Sequence, residues 1–291
     1  VSARKSALIK PLLADQAFLD DVNAAAAESG QLHLWWLGQS GFLIQWGDAH
    51  LLFDPYLSDS LTRKYGETDK PHERMTELVV DPSRLGFVDV VTSSHNHTDH
   101  LDAETLEPLM KANDALRMVI PDANRAFVTD RLNCDSNWPT GLNDGTSCTI
   151  GPFTLTGVPA AHEKIDCDEQ GRHRFMGYVV QAGPWTIYHS GDTIRFDGMA
   201  ERLQPFGIDI AILPINGSKP KRRVAGNLNG PEAAQLAHDI SAQIVIPCHY
   251  EMFTFNTESP SAFEAACAQL GQGFVTMRSG QRWSSTSLHS G

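Results

Sequence analysis

The chain has 291 residues, 41% hydrophobic and 20% charged, an ordinary globular composition that excludes a disordered or fibrous protein. Asp plus Glu outnumber Lys plus Arg by 35 to 23, and the net charge of −12 argues against a nucleic-acid binder or a protein held on anionic membrane by charge. Five cysteines (Cys134, Cys148, Cys167, Cys248, Cys267) cannot all pair within one chain and lack CxxC spacing, so a reducing, cytoplasmic setting is expected.

In chain order, residues 6–28 place Leu8, Leu12, Leu13, Phe18, Leu19 and Val22 near helical spacing, with Pro11 in the first turn and Gly30 as the stop. This predicts an N-terminal helical segment (1–30) packed on a single domain (31–291). Behind Arg4 and Lys5, the residues Lys10, Pro11, Asp15, Asp20 and Asp21 interrupt any export signal. The apolar runs are strand-sized, too short for a membrane span. Runs at 32–37, 41–46 and 50–53, separated by Gly38-Gln39-Ser40-Gly41 and Gly47-Asp48, predict an antiparallel meander. Residues 58–85 are polar and turn-rich, a surface excursion that either covers the site or mediates subunit contacts. A buried strand at 88–93 leads into a histidine cluster; Asp102 caps a helix carrying Leu106, Leu109 and Met110. After a strand at 117–120, Pro121 opens the next helix. Further strands are expected at 148–150, 153–158, 175–181, 185–189, 208–213, 243–247 and 274–277, with helices at 198–203, 231–240 and 260–269. Strands lead each half and helices follow, which fits two sheets covered by helices better than one doubly wound sheet.

The strongest chemical signal is Ser94-His95-Asn96-His97-Thr98-Asp99-His100-Leu101-Asp102, an HxHxDH spacing. At an extended strand end alternate side chains share a face, so His95 and His97 can grip one ion, while Asp99 and His100 address a second beyond the turn. Imidazole and carboxylate suit zinc, iron or manganese; an exposed polar loop capping a helix is the plainer alternative. Adjacent positions cannot surround an ion, and three further candidates stand after strands: His162 in Val-Pro-Ala-Ala-His-Glu, Asp192 in His-Ser-Gly-Asp, and His249 in Ile-Pro-Cys-His-Tyr. One or two divalent ions, zinc or manganese, are therefore expected. Asp99 is the candidate to orient a nucleophilic water or carry its proton. Asp54 either fixes a turn or supports a ligand histidine. The basic run Lys219, Lys221, Arg222 and Arg223 is either a solvated loop or, with Asn227 and Asn229, a clamp for an anionic substrate group. Tyr250 is a candidate substrate donor, with packing as the alternative, and Cys248 reads as a buried small hydrophobe. No GxSxG elbow and no GxxxxGKS/T loop occurs.

These motifs resemble the metallo-β-lactamase superfamily, from Trp36-Leu37-Gly38 through Asp54-Pro55 to His249. The resemblance implies an αββα sandwich, an α/β fold of two mixed sheets flanked by helices, with the metal site at one edge. It also implies His95, His97 and His162 at a first metal, Asp99, His100 and His249 at a second, and Asp192 as the bridging carboxylate. Within that superfamily the chain is similar to the L-ascorbate-6-phosphate lactonase branch, through Leu34-Trp35-Trp36-Leu37-Gly38, Asp89-Val90-Val91 and Ala242-Gln243-Ile244-Val245-Ile246-Pro247. It departs from that branch in Tyr250, where a second histidine would follow His249, and in the histidine at 162. N-acylphosphatidylethanolamine phospholipase D-like enzymes share much of the pattern. The implied activity is hydrolysis by metal-activated hydroxide of a small lactone or ester, including a phosphorylated one whose phosphate the basic run would recognise; Lys221, Arg222, Asn229 and Tyr250 are the substrate-binding candidates. The alternatives are a metal-dependent phosphodiesterase and a non-catalytic metal-binding protein on the same scaffold. The expected partner is a small molecule, with no nucleic acid and no membrane span, and a homo-oligomer is left open.

Overall fold

In the computed structural model, which describes residues 7–224 and 226–288, the chain from Leu32 builds two sheets in succession. Arg4, Lys5 and Ser6 lie outside the described residues, as do Ala225 and 289–291. Helix α1 (Asp15–Ala25) is followed by strands β1 (Leu32–Gly38), β2 (Gly41–Trp46) and β3 (Ala49–Phe53), then α2 (Ser60–Tyr65), β4 (Val90–Thr92) and α3 (Ala103–Ala112). Strand β5 (Arg117–Pro121), helix α4 (Arg125–Leu132) and strand β6 (Pro139–Leu142) complete the first half. The second half holds β7 (Ser147–Ile150), β8 (Phe153–Pro159), β9 (Met176–Ala182), β10 (Trp185–His189), α5 (Met199–Leu203), β11 (Ile210–Pro214), α6 (Gly230–Asp239), β12 (Ile244–Cys248) and α7 (Ser261–Leu270), and β13 (Arg282–Ser284) ends it.

The first sheet runs β13-β1-β2-β3-β4-β5-β6 and the second β12-β11-β10-β9-β8-β7. Both are mixed: β1 to β3 are antiparallel and β3 to β6 parallel, while β7 to β10 are antiparallel and β10 to β12 parallel. The layering follows from period-2 alternation. Leu32, Leu34 and Trp36 point into the core shared with Phe153, Tyr178 and Ile187 of the second sheet. Trp35 and Leu37, on the opposite face of β1, pack with Phe18 and Val22 of α1, Leu106 and Leu109 of α3, and Val128 and Leu132 of α4. Helices α6 and α7 cover the second sheet with Ala233, Leu236, Phe263 and Cys267. The result is the expected αββα sandwich.

Several elements differ from the sequence expectation. Helix α1 starts at Asp15, not in the first decade; residues 7–14 are not helical, with Ile9 bridged to Thr76 and the Leu12 N–H donated to the Ser279 carbonyl. Pro11, which lacks an N–H, suits that non-helical course. Pro121 ends β5, and α4 begins only at Arg125. The stretch 274–277 is not a strand: its pairing is a single bridge from Phe274 to Val245 beside β12. Strand β6, opened by Pro139, sits at a sheet edge, where a missing N–H is tolerated. Asp102 does occupy the N-cap of α3, but its carboxylate accepts from the Ser60 and Thr105 hydroxyls at 2.8 and 2.6 Å instead of from backbone.

Phe18 meets Trp35 edge-on at 6.4 Å between ring centroids, and Trp35 Nε1 donates to Asp21 at 2.8 Å, so both contacts of Trp35 help anchor α1 beside the packing of Val22 and Ala25. Phe18→Ala is expected to lower the unfolding free energy by about 3–5 kcal/mol. The check is a urea titration, and an unshifted midpoint would mean that α1 contributes nothing to global stability.

Candidate metal centre

Six connections converge at one rim of the two sheets: the β1–β2 turn, the loops after β3, β4, β8 and β10, and the segment after β12. Strand β4 stops at Thr92, so His95 and His97 lie on the loop beyond it and not on the strand end that alternation suggested. Their rings still meet, at 4.6 Å between centroids. A helical turn follows, with the N–H groups of His100 and Leu101 donated to the His97 carbonyl at 3.0 and 2.8 Å. That turn swings Asp99 and His100 away from the first histidine pair. One short motif thereby feeds two donor sets.

The first set is His95, His97 and His162, and the second is Asp99, His100, Asp192 and His249; within each, the ligating atoms lie within 4.8 Å of one another. In the second set His100 Nε2 is 3.3 Å from Asp192 Oδ1 and 3.8 Å from Asp99 Oδ2. His249 Nε2 is 3.6 Å from Asp99 Oδ2 and 3.4 Å from Asp192 Oδ2. An ion with bonds of ~2.1 Å in tetrahedral geometry holds its ligands ~3.4 Å apart, the scale seen here. Asp192 Oδ2 also lies 3.6 Å from His162 Nε2, so the Asp192 carboxylate stands beside the first set as well. His95 Nε2, His100 Nε2 and Asp192 Oδ1 are buried with no hydrogen-bond partner, a state that is costly unless a ligand completes it. The donor sets fit divalent metal.

Electrostatics divide the sets. Burial and the neighbouring His100 and His97 push His95 well below the ordinary imidazole value, and burial lowers His97, so both favour the neutral, ligating form. In the second set burial opposes charge, yet Asp192 and Asp99 outweigh it, raising His100 strongly and His249 to about 9. Burial likewise opposes ionisation of Asp99 and Asp192, but His100 and His249 hold both carboxyls below the usual range. The site requires positive charge between its carboxylates, which a divalent cation supplies by displacing protons.

Outer partners fix the ligands. His100 Nδ1 donates to Asp54 Oδ2 at 2.8 Å, and Asp54 also accepts from the Thr92 hydroxyl (2.7 Å) and the Ser94 N–H (3.1 Å). Of the two roles open to Asp54 in the sequence, support of a ligand histidine is the one these bonds match. His162 Nδ1 donates to the Gly226 carbonyl at 2.9 Å. Gln39, read only as a turn residue, donates to Asp99 Oδ2 at 2.8 Å and lies 2.9 Å from His249 Nε2. Its signal was its place in the β1–β2 turn, which reaches this rim. Arg131 of α4 holds the motif loop through the carbonyls of Asn96 and Leu101 at 2.9 and 3.0 Å. Asp54, His249 and Glu163, next to His162, are non-glycine residues at positive φ (34°, 65° and 85°). Such backbone strain persists where surroundings enforce it. Gly191 has φ 59°, and a Cβ there would sit 2.5 Å from Ser94 Cβ, so the Asp192 loop can close on the histidine loop only with glycine.

A cavity of about 580 Å³ opens over the donors, lined by His97, Asp99, His162, Asp192 and His249 together with Lys64, Lys70, His72, Arg131, Arg223 and the rings of Tyr65, Phe253 and Phe255. Lys221, Arg222, Asn229 and Tyr250 are not among its lining residues. Arg222 is tied to Glu258 and to the carbonyls of Asn216 and Thr257. Asn229 caps α6 in a capping box with Glu232, and the Tyr250 hydroxyl donates to the Met277 carbonyl while its ring lies 4.4 Å from Trp36. Arg222, Asn229 and Tyr250, expected at the substrate, are thus engaged by the protein's own groups away from this cavity, and Lys221 stays on the same 3-10 turn, off the cavity. Of the basic run, Arg223 alone reaches the cavity wall.

A family profile described as a beta-lactamase superfamily domain matches residues 33–249. The chain belongs to the metallo-β-lactamase superfamily. It is 27% identical over 248 residues to a metal-dependent hydrolase of Rubrobacter xylanophilus, covering 83% of this chain and 91% of the relative. It is 26% identical over 235 residues to the mitochondrial N-acyl-phosphatidylethanolamine-hydrolyzing phospholipase D of Saccharomyces cerevisiae, covering 77% of this chain and 48% of that protein. The solved structure of a metallo hydrolase from Ignicoccus hospitalis shares the fold at 20% identity, with a TM-score of 0.64 over 87% of this chain and 98% of that one.

Asp54→Asn tolerates the positive φ but removes the charge that orients His100. It is expected to weaken metal binding at the second set about 10- to 100-fold, measured by chelator competition; unchanged affinity would reduce Asp54 to a turn residue.

Proposed function

We propose that this metal-dependent hydrolase of the metallo-β-lactamase superfamily cleaves small anionic esters, a class that includes phosphorylated lactones and phosphodiesters. The observation that carries the reading is the cavity itself: four cationic side chains stand around two adjoining donor sets. Lys64 holds its ammonium over Tyr65, Arg223 pairs with Asp69, Lys70 donates to the Arg223 carbonyl and Arg131 to the carbonyls of Asn96 and Leu101. Its volume suits a small molecule. The yeast relative's name favours the phosphodiester; the motifs shared with ascorbate-6-phosphate lactonases favour the lactone, and both esters place negative charge where the cations lie.

Bound divalent metal, zinc or manganese, would be held by His95, His97 and His162 and by Asp99, His100, Asp192 and His249, and would supply Lewis acidity and a water acidified toward pH ~7. The chain's own groups do the rest. Of the two donor carboxylates Asp99 is the more open, 17% exposed against 4% for Asp192, so it is the one placed to orient an attacking water and accept its proton. Gln39 holds Asp99 in that orientation. Lys64, over the Tyr65 ring at 5.2 Å, and Lys70 offer ammonium groups to the anionic part, while Tyr65, Phe253 and Phe255 take an apolar part.

The test strips the protein with chelator, reloads it with Zn²⁺ or Mn²⁺, and follows bis(4-nitrophenyl) phosphate and a phosphorylated sugar lactone. Metal-dependent turnover of either, lost in His97→Ala, is expected; full turnover in His97→Ala would sink the proposal. Lys64→Ala is expected to raise KM for the anionic probe about tenfold, the scale of one hydrogen bond to a charged group, and to leave a neutral ester unaffected. An equal rise for both would remove the anion preference.

A further inference from the structure

We propose that His72 is a catalytic residue of this centre, donating a proton from Nε2 to the departing oxygen of the substrate. The inference rests on the hydrolase reading above and goes beyond it, because His72 belongs to neither donor set and comes from the excursion between β3 and β4, for which the sequence suggested only a cover or a subunit contact.

Four imidazoles line the cavity: His97, His162 and His249 are in the donor sets, and His72 is the remaining one. It is held as a working side chain would be. Tyr65 stacks on it at 4.4 Å and 26°, while Phe253 and Phe255 meet it edge-on at 5.2 and 4.5 Å. Beneath them Tyr56, Leu61, Met252 and Phe253 form a small apolar cluster of their own, with Tyr65 and Phe255 packed against it. The His72 backbone is pinned as well, its carbonyl accepting from the Thr62 hydroxyl at 2.6 Å. Nδ1 donates to the Lys70 carbonyl at 3.0 Å, which fixes the tautomer and leaves the lone pair of the neutral ring on Nε2, and the ring lines the cavity. A ring that served only to pack would not need its nitrogen oriented, and phenylalanine would serve as well.

The charged groups acting on this ring are Asp99 across the cavity and Lys70 and Lys64 on its own segment. Burial comes first, and with the two lysines it outweighs Asp99, keeping His72 below the ordinary imidazole value. The resting ring is neutral at pH 7 and takes a proton from solvent at the open face of the cavity. In the step itself the oxygen of the attacking water bonds to the carbonyl carbon or phosphorus, and the bond from that atom to the departing oxygen breaks. The Nε2 proton taken up from solvent passes to the departing oxygen, which leaves the ring neutral again, and the attacking water gives one proton to solvent by way of Asp99. One water is consumed, and His72 returns to its starting state.

The experiment compares bis(4-nitrophenyl) phosphate with diphenyl phosphate, and 4-nitrophenyl acetate with phenyl acetate, in metal-loaded wild type and His72→Phe. A 4-nitrophenolate departs without help, whereas phenolate needs a proton. His72→Phe is expected to keep kcat on the nitrophenyl member of whichever pair turns over within about threefold and to lose about 10²-fold or more on the phenyl member, the range of general acid catalysis. Metal content should be unchanged. Equal losses on both members, or no loss on either, would overturn the role of His72 while leaving the hydrolase reading intact. Absence of metal-dependent turnover by wild type on all four probes and on the lactone would overturn that reading and this one with it. If His72→Phe does not fold, His72→Gln, which lacks a titratable nitrogen, must give the same dependence on leaving group.

Discussion

Two carboxylates set among five imidazoles, Asp192 buried and Asp99 nearly so, are the constraint on which the rest of this structure depends. Asp99 and Asp192 approach His100 and His249 within 3.3–3.8 Å in a region with little water, where unpaired charge is expensive. Every surrounding feature keeps that cluster from relaxing. Asp54 turns His100, Gln39 spans Asp99 and His249, and Gly226 turns His162. Positive φ at Asp54 and His249 stores local backbone strain that the two packed sheets beneath can hold.

The architecture makes this convergence possible because each donor follows a strand, and strands of both sheets end at the same rim. His189 shows how the sheets are locked there. Its ring stacks on Phe53 of β3 at 4.6 Å and 6°, its Nε2 donates to the Ser40 carbonyl in the β1–β2 turn, and its Nδ1 accepts from the Gly191 N–H. A side chain from the second sheet thus registers the turn carrying Gln39 against the loop carrying Asp192. The cavity wall is built differently, from α2 and the segments around His72 and Phe253, on an apolar cluster separate from the main cores.

Much of this was legible in the sequence, for physical reasons. The HxHxDH run is local, so its spacing carried its chemistry, and His162, Asp192 and His249 each followed a recognisable apolar strand. The αββα layering was legible in alternating runs such as Leu32 to Leu37. What escaped depends on contacts between distant segments. Gln39 lies 60 residues from Asp99 and 210 from His249, and nothing local marks it apart from an ordinary turn. The basic run misled because charge is visible in sequence while its partners are not: Glu258 and two carbonyls engage Arg222, and the cations of the cavity wall are scattered at Lys64, Lys70, Arg131 and Arg223. Strand β13, only three residues long, was too short to carry a period.

That last strand has a consequence for how the protein is made. His33, Leu34 and Trp35 of β1 pair with Ser284, Trp283 and Arg282, so the outer edge of β1 waits for a strand some 250 residues later in the sequence. During synthesis β1 can pair with β2 and β3 at once, but its outer edge, rich in leucine and tryptophan, stays open until residue 284 has left the ribosome. Such long-range closure slows folding and exposes an edge to other chains meanwhile. Strand β13 therefore acts as a late clasp, and nascent chains arrested before it would be the species most prone to associate through β1.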